Sequence, residues 1–259
     1  NKGLEILLAV TPFDGKFKWT STFNIAFQEN KVVELYDGLQ FLPSDASIRV
    51  GYPIGSFFTS EWAGVNPATG RGMWYDKNGN LTYNPTADDR KVIGNIYPKQ
   101  FGGWNNSFSY KGFSLDAFFQ YEYGRVRADG QYQQMMRMAG ATVNTLEYGY
   151  LTRWQNPGDI VPTPRAFNGL ADYNSAGWGS GSRYIFKTDY IRLKQITLGY
   201  DIPATFAKKY KLEGARVYVQ GINLWTYTEW PSYDPEFTGD NFGIIPQSKN
   251  ITVGLQVRF

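Results

Sequence analysis

At 259 residues and a formal net charge of +3, the chain is long enough for a sizeable fold and too weakly basic to argue for a nucleic-acid partner. Histidine and cysteine are both absent, which removes the commonest general base, the commonest metal ligand and any disulfide framework. A Ser–His–Asp or Cys–His arrangement cannot be assembled from these residues, so the chain is read as not an enzyme.

Composition points to a membrane barrel. Aromatic residues make up 17% of the chain, with 19 Tyr, 18 Phe and 8 Trp, and glycine occurs 28 times. Barrels place Trp and Tyr at both membrane interfaces. Mean hydropathy is −0.42 and the longest apolar run is 6–10, so no transmembrane helix is expected. A barrel escapes hydropathy because every second residue faces the lumen.

In chain order, Leu4, Ile6, Leu8 and Val10 share one face, and Thr11-Pro12-Phe13-Asp14-Gly15 reads as a turn. Phe17, Trp19, Ser21, Phe23, Ile25 and Phe27 then alternate with Lys18, Thr20, Thr22, Asn24 and Gln28, giving a first hairpin. Residues 31–98 form a long loop rich in Gly, Asn, Asp and Pro, which holds an apolar stretch, 50–58, assigned to the loop or the lumen rather than to a membrane crossing. Within it, Asp76, Asn78 and Asn80 alternate like the oxygen donors of a calcium loop. The sixth position is Leu81 where such a loop wants glycine, and Lys77 adds positive charge, so an Asn-Gly surface turn is the competing reading.

A second hairpin pairs Trp104, Phe108 and Tyr110 with Phe113, Leu115, Ala117, Phe119, Tyr121 and Tyr123 through a very short turn at Lys111-Gly112. The loop at 128–183 carries a helix candidate over 131–139, followed by Tyr148, Tyr150, Trp154, Tyr173 and Trp178 among polar residues. Flat aromatics beside amide and guanidinium donors suit a ligand mouth; packing of the loop against itself or a lid is the alternative. The third hairpin pairs 184–203 with 215–227, with phase slips expected inside 191–196 and near Gly221. A loop at 230–248 leads to the final strand, where Ile251, Val253, Leu255, Val257 and Phe259 form one apolar face and Thr252, Gln256 and Arg258 the other. Nine residues suffice for a tilted strand to cross a bilayer.

If the last strand ends at the periplasm, all three short turns fall there and all three long loops fall outside the cell, which gives seven crossing strands. Single-chain outer-membrane barrels have even strand numbers from about 8 upward, so the chain is expected to be part of a larger barrel, the remainder lying N-terminal to Asn1 or on another chain.

A set of short segments stands in order along the chain: Asn1-Lys2-Gly3-Leu4-Glu5-Ile6, Val50-Gly51-Tyr52-Pro53-Ile54-Gly55-Ser56-Phe57, Asp89-Arg90-Lys91-Val92-Ile93-Gly94-Asn95 and Pro98-Lys99-Gln100-Phe101-Gly102-Gly103. It continues through Ser109-Tyr110-Lys111-Gly112-Phe113, Phe118-Phe119-Gln120, Asp189-Tyr190-Ile191-Arg192-Leu193-Lys194, Thr197-Leu198-Gly199-Tyr200, Asn223-Leu224-Trp225-Thr226-Tyr227 and Asp234-Pro235-Glu236. In these segments, in their order and spacing, the chain resembles the SusC/RagA family of TonB-dependent outer-membrane transporters. Trp154-Gln155-Asn156-Pro157-Gly158-Asp159 also resembles a family loop segment.

The resemblance implies an all-β fold, the C-terminal part of a plugged transmembrane barrel of about 22 strands. It implies import of oligosaccharides, peptides or other bulky nutrients, under a SusD-like surface lipoprotein lid, in outer-membrane lipid. Energy would come from TonB–ExbB–ExbD through N-terminal parts not contained in this chain. No cofactor is implied beyond the calcium candidates. The alternative is a SusC-like barrel that serves as a scaffold for other surface machinery without transport.

Overall fold

Seven strands join edge to edge in chain order, each antiparallel to the next. They are β1 (Lys2–Asp14), β2 (Phe17–Glu29), β3 (Gln100–Tyr110), β4 (Phe113–Tyr123), β5 (Tyr190–Ile202), β6 (Gly214–Thr228) and β7 (Asn250–Arg258). The computed structural model describes residues 1–138, 144–167, 181–237 and 245–259. Among them, no helix is long and apolar enough to cross a membrane.

The cross-strand register carries the sequence alternation across the whole sheet. Phe17 pairs with Tyr110, Tyr110 with Phe113, Phe113 with Tyr200, Tyr200 with Val217 and Val217 with Leu255. One face is therefore apolar and exposed: in β1 it runs through Leu4, Ile6, Leu8 and Val10 and, after a register shift, Phe13 opposite Trp19, with Leu7 the exposed hydrophobic out of phase, and in β7 Val253 is 77% and Leu255 66% exposed. The opposite face is polar and internally hydrogen-bonded. Ser107 donates to Asp116 at 2.6 Å, Arg216 to Ser114 at 2.6 Å and Gln220 to Thr197 at 3.3 Å. An apolar outside and a polar inside are what a membrane barrel wall requires.

Strand ends step along the sheet. β2 extends to Glu29, beyond the pair Phe27–Gln100, whereas β7 begins at Asn250 opposite Ile222. Such a stagger is how a sheet closes with tilted strands. Thirteen residues of β2, at about 3.4 Å each and a tilt of about 40°, rise roughly 34 Å, enough for a hydrocarbon core.

The apolar face holds one polar pair, Ser21 and Asn106, which oppose each other in the ladder and are 8% and 5% exposed. Two indoles cover them: Trp19 Nε1 donates to Asn106 Oδ1 at 3.1 Å and Trp104 Nε1 to Ser21 Oγ at 2.9 Å. The tryptophans satisfy the polar atoms and present hydrocarbon outward, so neither group faces lipid unpaired.

The register slips between Leu193 and Gln195, which leaves Lys194 outside both neighbouring ladders. The opposing strand accommodates it with Asn223 at φ 54°, a left-handed conformation that Asn tolerates. The slip expected inside 191–196 is thus a bulge at Lys194. The expected strand start at Tyr184 differs from the structure: Ile185–Lys187 pairs with Val126–Ala128 in a separate two-stranded ladder, and β5 begins at Tyr190. The stretch 50–58 does not join the wall; Ser56–Ser60 pairs with Arg90–Asn95 in a two-stranded sheet of its own.

Candidate functional site

The connections differ sharply between the two ends of the wall. β1–β2, β3–β4 and β5–β6 are joined by short turns at one end, while 30–99, 124–189 and 229–249 leave from the other. The long segments fold on one another rather than standing apart.

In the first segment, Trp62–Val65, Gly72–Tyr75 and Leu81–Thr82 form a three-stranded sheet. Trp74, 1% exposed, meets Trp62 edge-on at 5.2 Å. In the second segment, Asp129 follows the short strand Val126–Ala128, and its side chain accepts from Tyr132 N at 2.9 Å and caps helix α1 (Gly130–Met136). The helix expected over 131–139 therefore begins one residue earlier and ends at Met136, where Arg137 is extended. A second helix, α2 (Glu147–Leu151), follows, its Gly149 packed against Met136 and Met138.

Backbone and indole contacts fasten the second segment to the first. Arg165 N donates to Gly70 O at 2.9 Å, Gly158 N to Pro67 O at 2.8 Å and Trp154 Nε1 to Pro67 O at 2.7 Å. A Cβ on Gly70, which sits at φ +69°, would lie 2.5 Å from the Trp154 ring. Further along, Trp62 N donates to Ser182 Oγ at 2.9 Å and the Arg183 guanidinium lies 5.1 Å from the Trp62 ring.

The third segment is anchored by charge. Arg192, on the inner face of β5, holds Asp234 at 2.9 Å and Glu236 at 2.8 Å, and its Nε donates to Thr226 at 2.9 Å. Lys194, at the bulge, shares that inner side and reaches Glu236 at 2.7 Å. Tyr190 donates to Glu236 at 2.8 Å, and Arg125 pairs with Glu122 at 2.9 Å while also donating to Pro235 O. Three cations thus balance three carboxylates. The Arg192, Asp234 and Glu236 side chains are 4%, 6% and 11% exposed, so each charge depends on its partners. For the Asp234 carboxyl, burial pushes the pKa up, but hydrogen bonds from Arg192 and the Glu236 N–H outweigh it and hold the group below its ordinary 3.8. Ser232 also donates to Asp129, so this segment grips the root of the second one as well.

The residues expected to contact a ligand separate into groups. Tyr148 and Tyr150 lie on α2 and are 52% and 58% exposed, with the Arg153 guanidinium 4.0 Å from the Tyr150 ring. Trp154 is half-buried against Gly70 and has its N–H engaged, so it ties two segments together. Tyr173 and Trp178 lie outside the described residues.

Of the calcium candidates, Asp76 is occupied by its own turn. Its oxygens accept from Asn78 N and Asn80 N at 2.8 Å each and from Asn80 Nδ2 at 3.1 Å, which lowers its pKa through the Asn80 side-chain bond first. Asp89 closes the same loop by accepting from Lys77 N at 2.9 Å and Thr86 N at 2.7 Å. Among the described residues no group of three or more His, Cys, Asp or Glu is placed to hold a metal.

Sequence reasoning noted Asp234 and Glu236 but gave them no partner. The signal was present: Arg192 and Lys194 share the face opposite Ile191 and Leu193, which puts two cations on the inner side of a membrane strand.

Comparison with known proteins agrees with this architecture. No protein-family model matches the chain. It is 29% identical to TonB-dependent receptor P3 of Formosa agariphila over all of its own length and 28% of that protein's. It is 25% identical to TonB-dependent receptor P39 of the same organism, again over its whole length and 30% of the relative's. Among solved structures, the RagAB peptide transporter superposes with a TM-score of 0.83 at 27% identity, covering 98% of this chain and 29% of that one. The RagAB peptide importer in its 'open-open' state gives 0.82 at 26% identity, covering 99% and 28%. The chain therefore spans less than a third of the length of the proteins it matches.

Fold and likeness together define a segment of the wall of an outer-membrane β-barrel, similar over its whole length to TonB-dependent receptors. Its residues resemble those of the SusC/RagA type, and the solved structures it is similar to are of RagAB.

Proposed function

We propose that the chain forms the C-terminal part of the barrel of an importer that carries bulky nutrients, oligosaccharides or peptides, across the bacterial outer membrane. The observation that carries this reading is the polarity of the wall. Short turns occupy one end, and three long segments fold together at the other, bound by the Trp154–Gly70 contact and the Arg192–Asp234–Glu236 cluster. A folded cap over one mouth suits a pore that meets large solutes and a partner at the cell surface, and short turns suit the periplasmic side.

In this reading the long segments face outward, Tyr148 and Tyr150 offer exposed rings to substrate or to a SusD-like lipoprotein lid, and TonB drives the cycle through parts of the protein beyond this chain. Likeness to a peptide importer supports the solute class.

Gentle purification of the full-length protein from native outer membranes, followed by mass spectrometry, tests the proposal. A co-purifying surface lipoprotein with a trapped oligosaccharide or peptide is the expected result. Recovery with secretion or assembly components and no solute would overturn it.

A further inference from the structure

We propose that the short-turn end of the wall is a binding surface for anionic phospholipid headgroups of the periplasmic leaflet; the choice of leaflet rests on the orientation proposed above. The argument begins with where the cations lie. Lys16 sits in the β1–β2 turn, Lys111 in the β3–β4 turn, and Lys208, Lys209 and Lys211 in the β5–β6 turn. All five are exposed, and among the described residues none of them makes an ion pair. The acidic residues near these turns are few. Asp14 is held by Lys18 at 3.1 Å, Asp201 faces Arg216 at 4.0 Å, and Glu213 remains.

The opposite end of the same strands is arranged differently. There Lys2 pairs with Glu29 at 3.1 Å, and Arg125, Arg192 and Lys194 are absorbed by carboxylates on the inner side. Lys31, Lys99 and Lys187 are also exposed there and make no ion pair among the described residues, so what distinguishes the short-turn end is five such lysines gathered on three neighbouring turns, three of them within 208–211.

Aromatic rings surround these lysines. Tyr110 and Phe113, 46% and 54% exposed, end the lipid-facing rows beside Lys111, whose Nζ lies 5.2 Å from the Tyr110 ring. The β5–β6 turn begins with helix α3 (Ala204–Ala207) and runs through Phe206-Ala207-Lys208-Lys209-Tyr210-Lys211. Ala207 is buried, while Phe206 and Tyr210, 50% and 66% exposed, stand 5.4 Å apart. Exposed rings flanked by lysine just beyond an apolar band place the rings at headgroup level and the ammonium groups among the phosphates. An acidic protein partner would explain the lysines but not the exposed rings on the lipid side.

A lysine near an anionic membrane surface is worth roughly fivefold in binding, the equivalent of about 1 kcal/mol, and the effect fades within a Debye length. Four lysines on two adjacent turns are therefore expected to give a lipid preference well above tenfold.

The test uses the full-length protein, exchanged into mixed micelles of phosphatidylglycerol and phosphatidylcholine in equal parts. Retained lipid is counted by native mass spectrometry. The wild type is expected to retain phosphatidylglycerol at least tenfold over phosphatidylcholine, with the ratio falling as salt rises. Combined Lys111→Gln, Lys208→Gln, Lys209→Gln and Lys211→Gln should bring the ratio close to one, and the same four positions changed to Arg should preserve it. Gln exchange at Lys2 and Lys187, at the other end, should leave it unchanged. Heat-modifiable migration establishes that each variant is folded.

Equal retention of both lipids by the wild type would overturn the inference, as would a folded Gln variant that keeps the preference. So would a variant that loses an acidic protein partner while its lipid ratio stays put. A wild type that takes up solute without any lipid preference sinks this inference alone. One that keeps the preference but takes up nothing sinks the proposed function alone.

Discussion

Placing arginine along β7 converts the lipid-facing assignment into a depth series. The strand's nine residues centre on Gly254, with Val253 and Leu255 on either side, both directed outward. At about 3.4 Å per residue and a tilt of about 40°, each lies within ~3 Å in height of the strand's midpoint, whereas Val257 lies ~8 Å from it. Charge on the lipid side costs about 2–4 kcal/mol at the midplane and falls to about 0–1 near the interface. Val253→Arg and Leu255→Arg should therefore weaken folding into bilayers by roughly 30- to 900-fold in equilibrium constant. Val257→Arg should cost about 1 kcal/mol because its head reaches the interface. Thr252→Arg and Gln256→Arg, on the polar face, should cost least. Denaturant titration of the full-length protein in phospholipid vesicles, read by heat-modifiable migration, measures each. Equal costs at Val253 and Thr252, or at Val253 and Val257, would refute the reasoning.

Removing Arg192 by Arg192→Ala leaves Asp234 and Glu236 buried without it and should cost about 3–5 kcal/mol, seen as faster amide exchange across 230–237. Because the Asp234 pKa is lower folded than unfolded, its stabilisation is complete above about pH 3.8 and is lost as pH falls through the folded value. Protection of 230–237, taken as exchange relative to the intrinsic rate at each pH, should then stay flat from neutral pH down to about pH 4 and fall below it; a fall already near pH 6 would contradict this. Gly70→Ala meets both the Trp154 ring and a positive φ, and Trp154→Ala removes half-buried packing worth about 2 kcal/mol, so limited proteolysis should open 144–167 in either variant. Combined Tyr148→Ala and Tyr150→Ala should reduce solute or lid affinity by tenfold or more with the barrel's heat-modifiability intact, as read by isothermal titration.

Alternation made the wall legible. Leu4 to Val10, Phe17 to Phe27 and Ile251 to Phe259 each repeat with period two, and pairing one strand fixed the facing of the next. Where the period broke, at 191–196, the break itself announced the bulge at Lys194. The long segments were less legible because their contacts join residues far apart in the chain. Nothing local to Trp154 shows that it rests on Gly70, and nothing local to Asp234 shows Arg192 beneath it. Helix α2 is one short turn-and-a-half without a side-chain cap, too brief for a periodic signal, although it carries Tyr148 and Tyr150. The strand expected from Tyr184 failed for a related reason. Ile185 and Phe186 are apolar and β-prone like wall residues, but Val126 to Ala128 take 185–187 as partners in a separate ladder.

The central claim is that the seven strands span the outer membrane with the long segments outside and the short turns within. The chain contains no cysteine, so single introduced thiols report location directly. Asn78→Cys and Tyr148→Cys should react with a membrane-impermeant maleimide on intact cells. Gly15→Cys and Lys111→Cys should react only after the outer membrane is permeabilised. Labelling of the turn positions on intact cells, with the loop positions protected, would contradict the account.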